Sequence, residues 1–147
     1  MTLVEVLQDE ARRRAAAKDG AVLVDEEVAA KTGLRAAALK AGFRTVKALK
    51  PGIIEDSMYS LLPRFAPAID PHWEKAEATG DAQRYFDTRA DEIAESMLQV
   101  TDRAAQGAKN RVMLRVYKGL RGQAKKYTAA SVPRLPEFIR KHVSGAS

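Results

Sequence analysis

Apolar residues recur along this chain at intervals of three and four, not two. Leu3, Val6 and Leu7 open the pattern behind Thr2, which has Glu5 three residues on, the spacing at which a hydroxyl and a carboxylate cap a helix start reciprocally. The periodicity predicts a first helix over about 3–18, stopped by Asp19-Gly20, and a second over about 21–32. Val24 and Val28 share one side of that second helix, and Gly33 is placed to take the left-handed conformation that closes it. A third helix over 34–50 ends at Pro51-Gly52. A fourth covers 53–62, and Pro63 and Pro67 divide it from a short continuation ending near Ile69. Asp70-Pro71 reads as the N-cap and first-turn proline of the next helix, which ends at Gly80. Helices over 81–87 and 88–100 follow, the latter opened by Thr88 with Asp91 in the capping spacing. Thr101-Asp102 begins a long helix to about Leu120. Gly122 interrupts, another helix runs to Ala130, and Pro133 starts a last one ending at His142. No stretch alternates apolar and polar residues between turn signals, so the expected fold class is all-α.

Laid over itself, the chain matches at an offset of about 71 residues. Phe43-Arg44-Thr45-Val46-Lys47-Ala48-Leu49-Lys50-Pro51 falls on Leu114-Arg115-Val116-Tyr117-Lys118-Gly119-Leu120-Arg121-Gly122, with most positions keeping their chemical type. One residue of slippage later, Leu62-Pro63-Arg64-Phe65 falls on Val132-Pro133-Arg134-Leu135. The expected helices over 21–32 and 53–62 likewise meet 92–103 and 123–132. This reads as a single domain, 1–147, forming a compact bundle of two pseudo-symmetric tandem units of four helices each, about 1–70 and 71–147. Trp73, just past the joint, reads as the hydrophobic plug between them.

The repeat gives the charge pattern its interest. Lys40, Arg44, Lys47 and Lys50 are spaced i, i+4, i+7, i+10, and Arg111, Arg115, Lys118 and Arg121 repeat that spacing 71 residues on. At 100° per residue the first three of each set fall within about 60° of arc. Leu39, Phe43, Val46 and Leu49 take one broad side and small Ala residues most of the other, so each helix is expected to be mostly buried, showing water one narrow cationic stripe. A nearly buried helix needs some solvated strip, and cations near its C-terminus suit the dipole. Neither stripe contains an acid, however, and these eight residues are the candidate anion-binding set.

Charge over the whole chain points the same way. The formal total is +6, yet residues 1–102 hold 14 Lys and Arg against 18 Asp and Glu, whereas residues 103–147 hold 11 basic residues and only Glu137. A basic C-terminal third suits a polyanionic partner, and equally suits two ends of one molecule attracting each other. A helix-turn-helix reading exists over Val28–Leu39, with Arg35, Lys40 and Arg44 on the reading helix. That helix is long, largely apolar and without Asn or Gln for adenine edges, and Arg103-Ala104 stands where the second unit needs its turn Gly. Single-strand stacking needs exposed aromatics, and Phe43, Phe65, Tyr85, Phe86, Tyr117 and Phe138 all read as core on period.

Catalytic chemistry is thinly represented. With no Cys, disulfides, thiolate metal sites and cysteine nucleophiles are excluded. His72 and His142 sit at a helix start and a helix end with no Ser or acid at a telling spacing, and neither Glu-x-x-His nor His-Glu-x-x-His occurs. Gly107, Gly119 and Gly122 make no phosphate-cradling loop. Asp25-Glu26-Glu27 and Asp91-Glu92-Glu95 lack the oxygen-rich kinked loop of a hard-cation site and read as solvated helix faces. The longest charge-free stretches are seven residues, against the ~18 that cross a bilayer, so no membrane span is expected and the cytoplasm is the expected location.

Lys50-Pro51-Gly52-Ile53-Ile54, Leu61-Leu62-Pro63-Arg64-Phe65, Asp70-Pro71-His72-Trp73, Val100-Thr101-Asp102 and Tyr117-Lys118-Gly119-Leu120-Arg121-Gly122 together resemble a family of small, all-helical actinobacterial proteins of unknown function. The resemblance covers nearly the whole chain. It implies a cytoplasmic stand-alone helical domain and supplies no catalytic residue, cofactor or partner. The resulting expectation is a non-catalytic protein-interaction or assembly module, with no cofactor, metal or small-molecule substrate. The alternatives are nonspecific binding of nucleic-acid backbone through the two basic stripes and, below that, an enzyme of unrecognised class.

Overall fold

A computed structural model describes residues 1–107 and 109–144, and the described chain is helical with no strand. Helix α1 spans Leu3–Val6 and α2 Glu10–Ala30; α3 is Leu34–Leu49, α4 Ile53–Ala78, α5 Ala82–Thr88 and α6 Ala90–Gln106. Helix α7 is Arg111–Ser131, and after a 3-10 turn at Val132–Arg134 the chain ends in α8, Leu135–Ser144.

Local signals hold where the backbone needs them. Thr2 Oγ1 accepts from Glu5 N at 3.2 Å, and Gly33, Gly52 and Gly80 take φ of 96°, 83° and 80°, conformations that cost other residues a Cβ clash. The first correction is at the N-terminus, where the helix expected over 3–18 breaks at Leu7–Asp9. Asp9 accepts from Arg12 N at 3.0 Å and restarts the chain as α2, which then passes straight through Asp19-Gly20. Gly20 is a contact residue and not a stop: a Cβ there would lie 3.3 Å from Met58 Sδ, so its bareness lets α2 lie close against α4.

The largest correction is α4. Pro63 and Pro67 were expected to divide this region and Asp70-Pro71 to begin a new helix, yet one 26-residue helix runs through all three prolines. A proline inside a helix costs about 3 kcal/mol, because it lacks the donor and crowds the carbonyl four residues back. Here the freed Tyr59 carbonyl takes a replacement donor from outside: Arg13 Nε of α2 donates to it at 2.7 Å. The Arg13 and Arg14 guanidinium carbons also lie 3.9 and 4.0 Å from the Tyr59 ring centroid. Pro67 and Pro71 are exposed, while Leu62, Ala66, Ile69, Trp73 and Ala76 are buried at helical spacing on the other side. Each large apolar member of that face is worth roughly 1.5–3 kcal/mol once buried, which offsets the prolines. Asp70 does cap a helix, but the wrong one for the sequence reading: its carboxylate accepts from Leu3 N at 2.9 Å and Val4 N at 3.0 Å, closing the start of α1 from 67 residues away.

The remaining boundaries shift likewise. Thr88 Oγ1 donates back to Arg84 O at 2.8 Å and does not cap α6. Helix α6 continues through Thr101-Asp102, and α7 through Gly119 and Gly122. The interruptions at 31–33 and 50–52 therefore fall, 71 residues on, inside continuous helix, and 123–132 is the end of α7 and the start of the 3-10 turn and not a helix of its own, so the helix boundaries do not repeat. The core gathers Leu3, Leu7, Ala16, Ala17, Leu62, Ile69, Trp73, Phe86, Ile93, Val132 and Ile139. Trp73 meets Phe86 edge-on, ring centroids 6.0 Å apart. Of the aromatics read as core, Phe65, Tyr85 and Phe138 pack against this cluster, while Phe43 and Tyr117 sit half-buried outside it.

Because Asp70 accepts from the first two amides of α1, beside the Thr2 cap on Glu5, Asp70→Ala is expected to lower stability by about 1–2 kcal/mol. Urea unfolding checks this as a fall in midpoint at unchanged slope; a midpoint equal to the wild type would show that α1 is held by packing alone.

Candidate functional site

The eight cations singled out by spacing fare differently. On α3, Arg44 and Lys50 are exposed and Lys40 is half-buried, whereas Lys47 Nζ sits 2.9 Å from Asp25 Oδ1 of α2. On α7, Arg111, Arg115 and Lys118 are exposed. Arg121 is not available to a ligand. Its Nε donates to Asp102 Oδ1 at 2.8 Å and its Nη2 to Asp102 Oδ2 and Glu95 Oε1, both at 2.8 Å. Lys125 reaches the other Glu95 oxygen at 3.1 Å, and the Tyr117 hydroxyl donates to Asp102. Arg121 and Tyr117 together hold the Asp102 carboxyl down to about 2. This network clamps α7 to α6, and its signal was present in the sequence as acids seven apart at 95 and 102 opposite bases four apart at 121 and 125.

The acid clusters are likewise engaged, not merely solvated. Asp25 holds Lys47, Glu26 and Glu27 both meet Arg134, and Glu27 also meets Lys31 at 3.6 Å. Glu92 meets Arg89 at 3.4 Å. Among the described residues no group of three or more His, Asp or Glu is arranged to hold a metal ion, and no helix is long and apolar enough to cross a membrane.

Both histidines are buried. His72 Nε2 lies 2.9 Å from Ser96 Oγ, and the Ser96 hydroxyl is itself directed to Glu92 O, so the imidazole donates from Nε2. Burial pushes its pKa below the ordinary value, with Glu92 opposing. His142 Nε2 sits 2.8 Å from Asp19 Oδ2, which also meets Lys141. Burial again lowers the imidazole and Asp19 opposes that, with the net shift downward. Both imidazoles pack within the bundle on α4 and α8, and His72 with Ser96 is a hydroxyl–imidazole pair, 24 residues apart in sequence, that spacing along the chain did not reveal.

Helix α3 departs most from expectation. It was read as mostly buried with one cationic strip exposed; instead Ala36 is its only buried residue, Leu39, Lys40 and Phe43 are half-buried, and the rest is exposed. The face turned to water carries Leu34, Ala37, Ala38, Ala41, Ala48 and Leu49, with Leu34 93% and Leu49 81% exposed. The cations flank the inner side. Lys40, Arg44 and Lys47 border a recess of about 430 Å³ with Asp25, Val28, Ala29 and Phe43. Arg44 and Lys40 thus face α2, away from where a DNA-reading face would present them.

That recess is the outermost of three. Through Val28 and Phe43 it adjoins a second, about 340 Å³, bounded also by Leu39, Lys31, Tyr127, Thr128 and Ser131. Through Val24, Thr128 and Ser131 the second adjoins an inner cavity of about 230 Å³, lined otherwise by apolar side chains of α1, α2, α4, α6 and α8, Met58, Phe65, Met97 and Ile139 among them. A gradient runs from a wholly apolar end to a cationic end.

The family described as a family of unknown function (DUF6918) matches residues 3–143. The chain belongs to that family. No curated protein and no solved structure matches it. Membership in DUF6918 thus covers all eight helices and assigns none of the residues above a role.

Stability should report the two buried imidazoles. Their folded pKa values lie below the unfolded value of 6.5, so the unfolded chain binds protons first and the stability present above pH 6.5 is lost as pH falls toward the folded values. Urea midpoints are expected to hold between pH 8 and 6.5 and to decline by about pH 5, before most carboxylates titrate. A flat profile across that interval would remove the burial argument for both groups.

Proposed function

We propose that this DUF6918 protein is a non-catalytic assembly module of the cytoplasm that works through the outer face of α3. The observation that carries this reading is an exposed helix face of Leu34, Ala37, Ala38, Ala41, Ala48 and Leu49 with Arg35, Arg44 and Lys50 beside it and no acid anywhere on the helix. Contiguous apolar surface facing water marks a place where something else packs. Small side chains allow a second helix to approach closely, and the cations select a partner rimmed with acids. The chain itself carries such a rim: Glu74, Glu77, Asp81, Asp87, Asp91 and Glu92 are exposed around the end of α4, α5 and the start of α6. A second copy presenting this acidic end to α3 is the partner we favour, and so unlike a pair of surfaces gives a head-to-tail contact.

Sedimentation equilibrium at low and high salt tests it. Self-association is expected to weaken as salt rises, and Leu34→Glu with Leu49→Glu is expected to leave a monomer of unchanged helicity. A wild-type chain that stays monomeric at every concentration and salt would overturn self-assembly through α3.

One observation favours a second reading, binding of nucleic-acid backbone. Lys40, Arg44, Lys50, Arg111, Arg115 and Lys118 have no carboxylate partner among the described residues. They lie on helices with different packing partners, α3 on α2 and α4, α7 mainly on α6. If all six met phosphates, affinity for mixed-sequence duplex is expected to fall by ~10³ between 50 and 200 mM salt. No association at the lower salt removes this reading.

A further inference from the structure

We propose that the inner cavity and the two recesses leading from it form a binding site for a single-chain carboxylate, a fatty-acid-like amphipathic anion whose tail lies among Met58, Phe65, Met97 and Ile139 and whose head meets Lys40 and Arg44. This goes beyond assembly through α3, since it uses the opposite side of that helix.

Three features combine. The inner cavity of about 230 Å³ is walled almost entirely by apolar side chains. A dry apolar cavity of ~150 Å³ holds benzene, so this one has room for the end of an alkyl chain whose remainder crosses the second recess. Two of the inner cavity's walls are Met58 and Met97, unbranched thioethers that adapt to a variable chain. The only polar side chains on it, Thr128 and Ser131, stand where it opens into the next recess, and Ser131 Oγ is already directed to Tyr127 O at 3.1 Å. The second recess shares Val28 and Phe43 with the outermost one, which Lys40, Arg44 and Lys47 border. A neutral apolar ligand would leave that end unused, and a short anion would leave the cavity unused.

The charge at the mouth narrows the head group. Lys47 is held by Asp25 at 2.9 Å, which leaves Lys40 and Arg44 as the cations without a carboxylate partner. Asp25 itself borders the recess and repels surplus negative charge, and Glu27, farther in, is neutralised by Lys31 and Arg134. With Asp25 and Lys47 cancelling, Lys40 and Arg44 remain, one cation for each oxygen of a carboxylate head.

Titration calorimetry with decanoate, kept below its micelle concentration, is the direct test. Saturable 1:1 binding is expected, with decanol weaker and butyrate not bound. Lys40→Glu alters the mouth and not the outer face of α3, and is expected to weaken decanoate by about tenfold or more while leaving decanol unchanged. Val24→Phe, at the neck, is expected to weaken both; the mouth variant keeps the proposal testable should the neck variant fail to fold. Leu34→Glu with Leu49→Glu is expected to bind decanoate like the wild type, which separates this site from the assembly face. Absence of saturable decanoate binding, or equal affinity in the mouth variant, would overturn the site, and decyl phosphate binding more tightly than decanoate would overturn its head group.

Discussion

The bundle depends on α4 remaining one helix across three prolines. Its buried residues, from Leu62 through Ala76, stay on one side only if the helical phase carries through Pro63, Pro67 and Pro71. A break at any of them would turn Trp73 away from Phe86 and Ile69 out of the core. The phase is kept by contacts from other elements. Arg13 replaces the donor that Pro63 removes, Gly20 lets α2 close on Met58, and Asp70 ties α1 down so that Leu3 and Val6 cover the middle of the helix. Each of these partners is distant in sequence, so α4 and the fold around it form together or not at all.

That dependence explains which parts of the architecture could be read from the residues in advance. Gly33, Gly52 and Gly80 were legible as helix ends because a positive φ is a local demand, and α3 was placed to within a residue by the glycines on either side of it. Pro63, Pro67, Gly20 and Gly122 were misread as breaks. Their intrinsic cost, about 1 kcal/mol for a helical Gly and about 3 for Pro, is smaller than the tertiary burial set against it. Asp70 looked like an N-cap because Asp-Pro is a common way to begin a helix. Its carboxylate does cap, but no local rule names the amides of Leu3 and Val4 as the donors.

The candidate site was legible in one dimension only. Periodicity grouped Lys40, Arg44 and Lys47 on one arc of α3, as the structure does, and it could not say which neighbouring arc faces inward. Aromatic and aliphatic residues lay on one side and alanines on the other, and both looked like burial. The structure turns Ala36, Leu39 and Phe43 inward and leaves the other alanines, Leu34 and Leu49 in water. For Arg121, equivalence by spacing to Lys50 concealed a different environment: Lys50 ends a helix at the surface, whereas Arg121 lies mid-helix opposite Glu95 and Asp102. A spacing shared between two segments does not carry over the acids that face each one.

The outer face of α3 and the recess beneath it have one cause. A helix bearing cations along the arc beside Phe43 cannot sink fully onto α2, because Lys40 and Arg44 would lose water without gaining carboxylates. It therefore rests on Ala36, Leu39 and Phe43 and on one ion pair, Lys47 to Asp25. The gap left under it is the cationic recess, and the alanine surface left above it is the face proposed for assembly. With so few buried apolar contacts α3 lies at the low-stability end of the molecule, where local opening is least costly. Anything that fills the recess adds the contacts α3 lacks on its inner side, and so would also fix the outer face that a partner must meet.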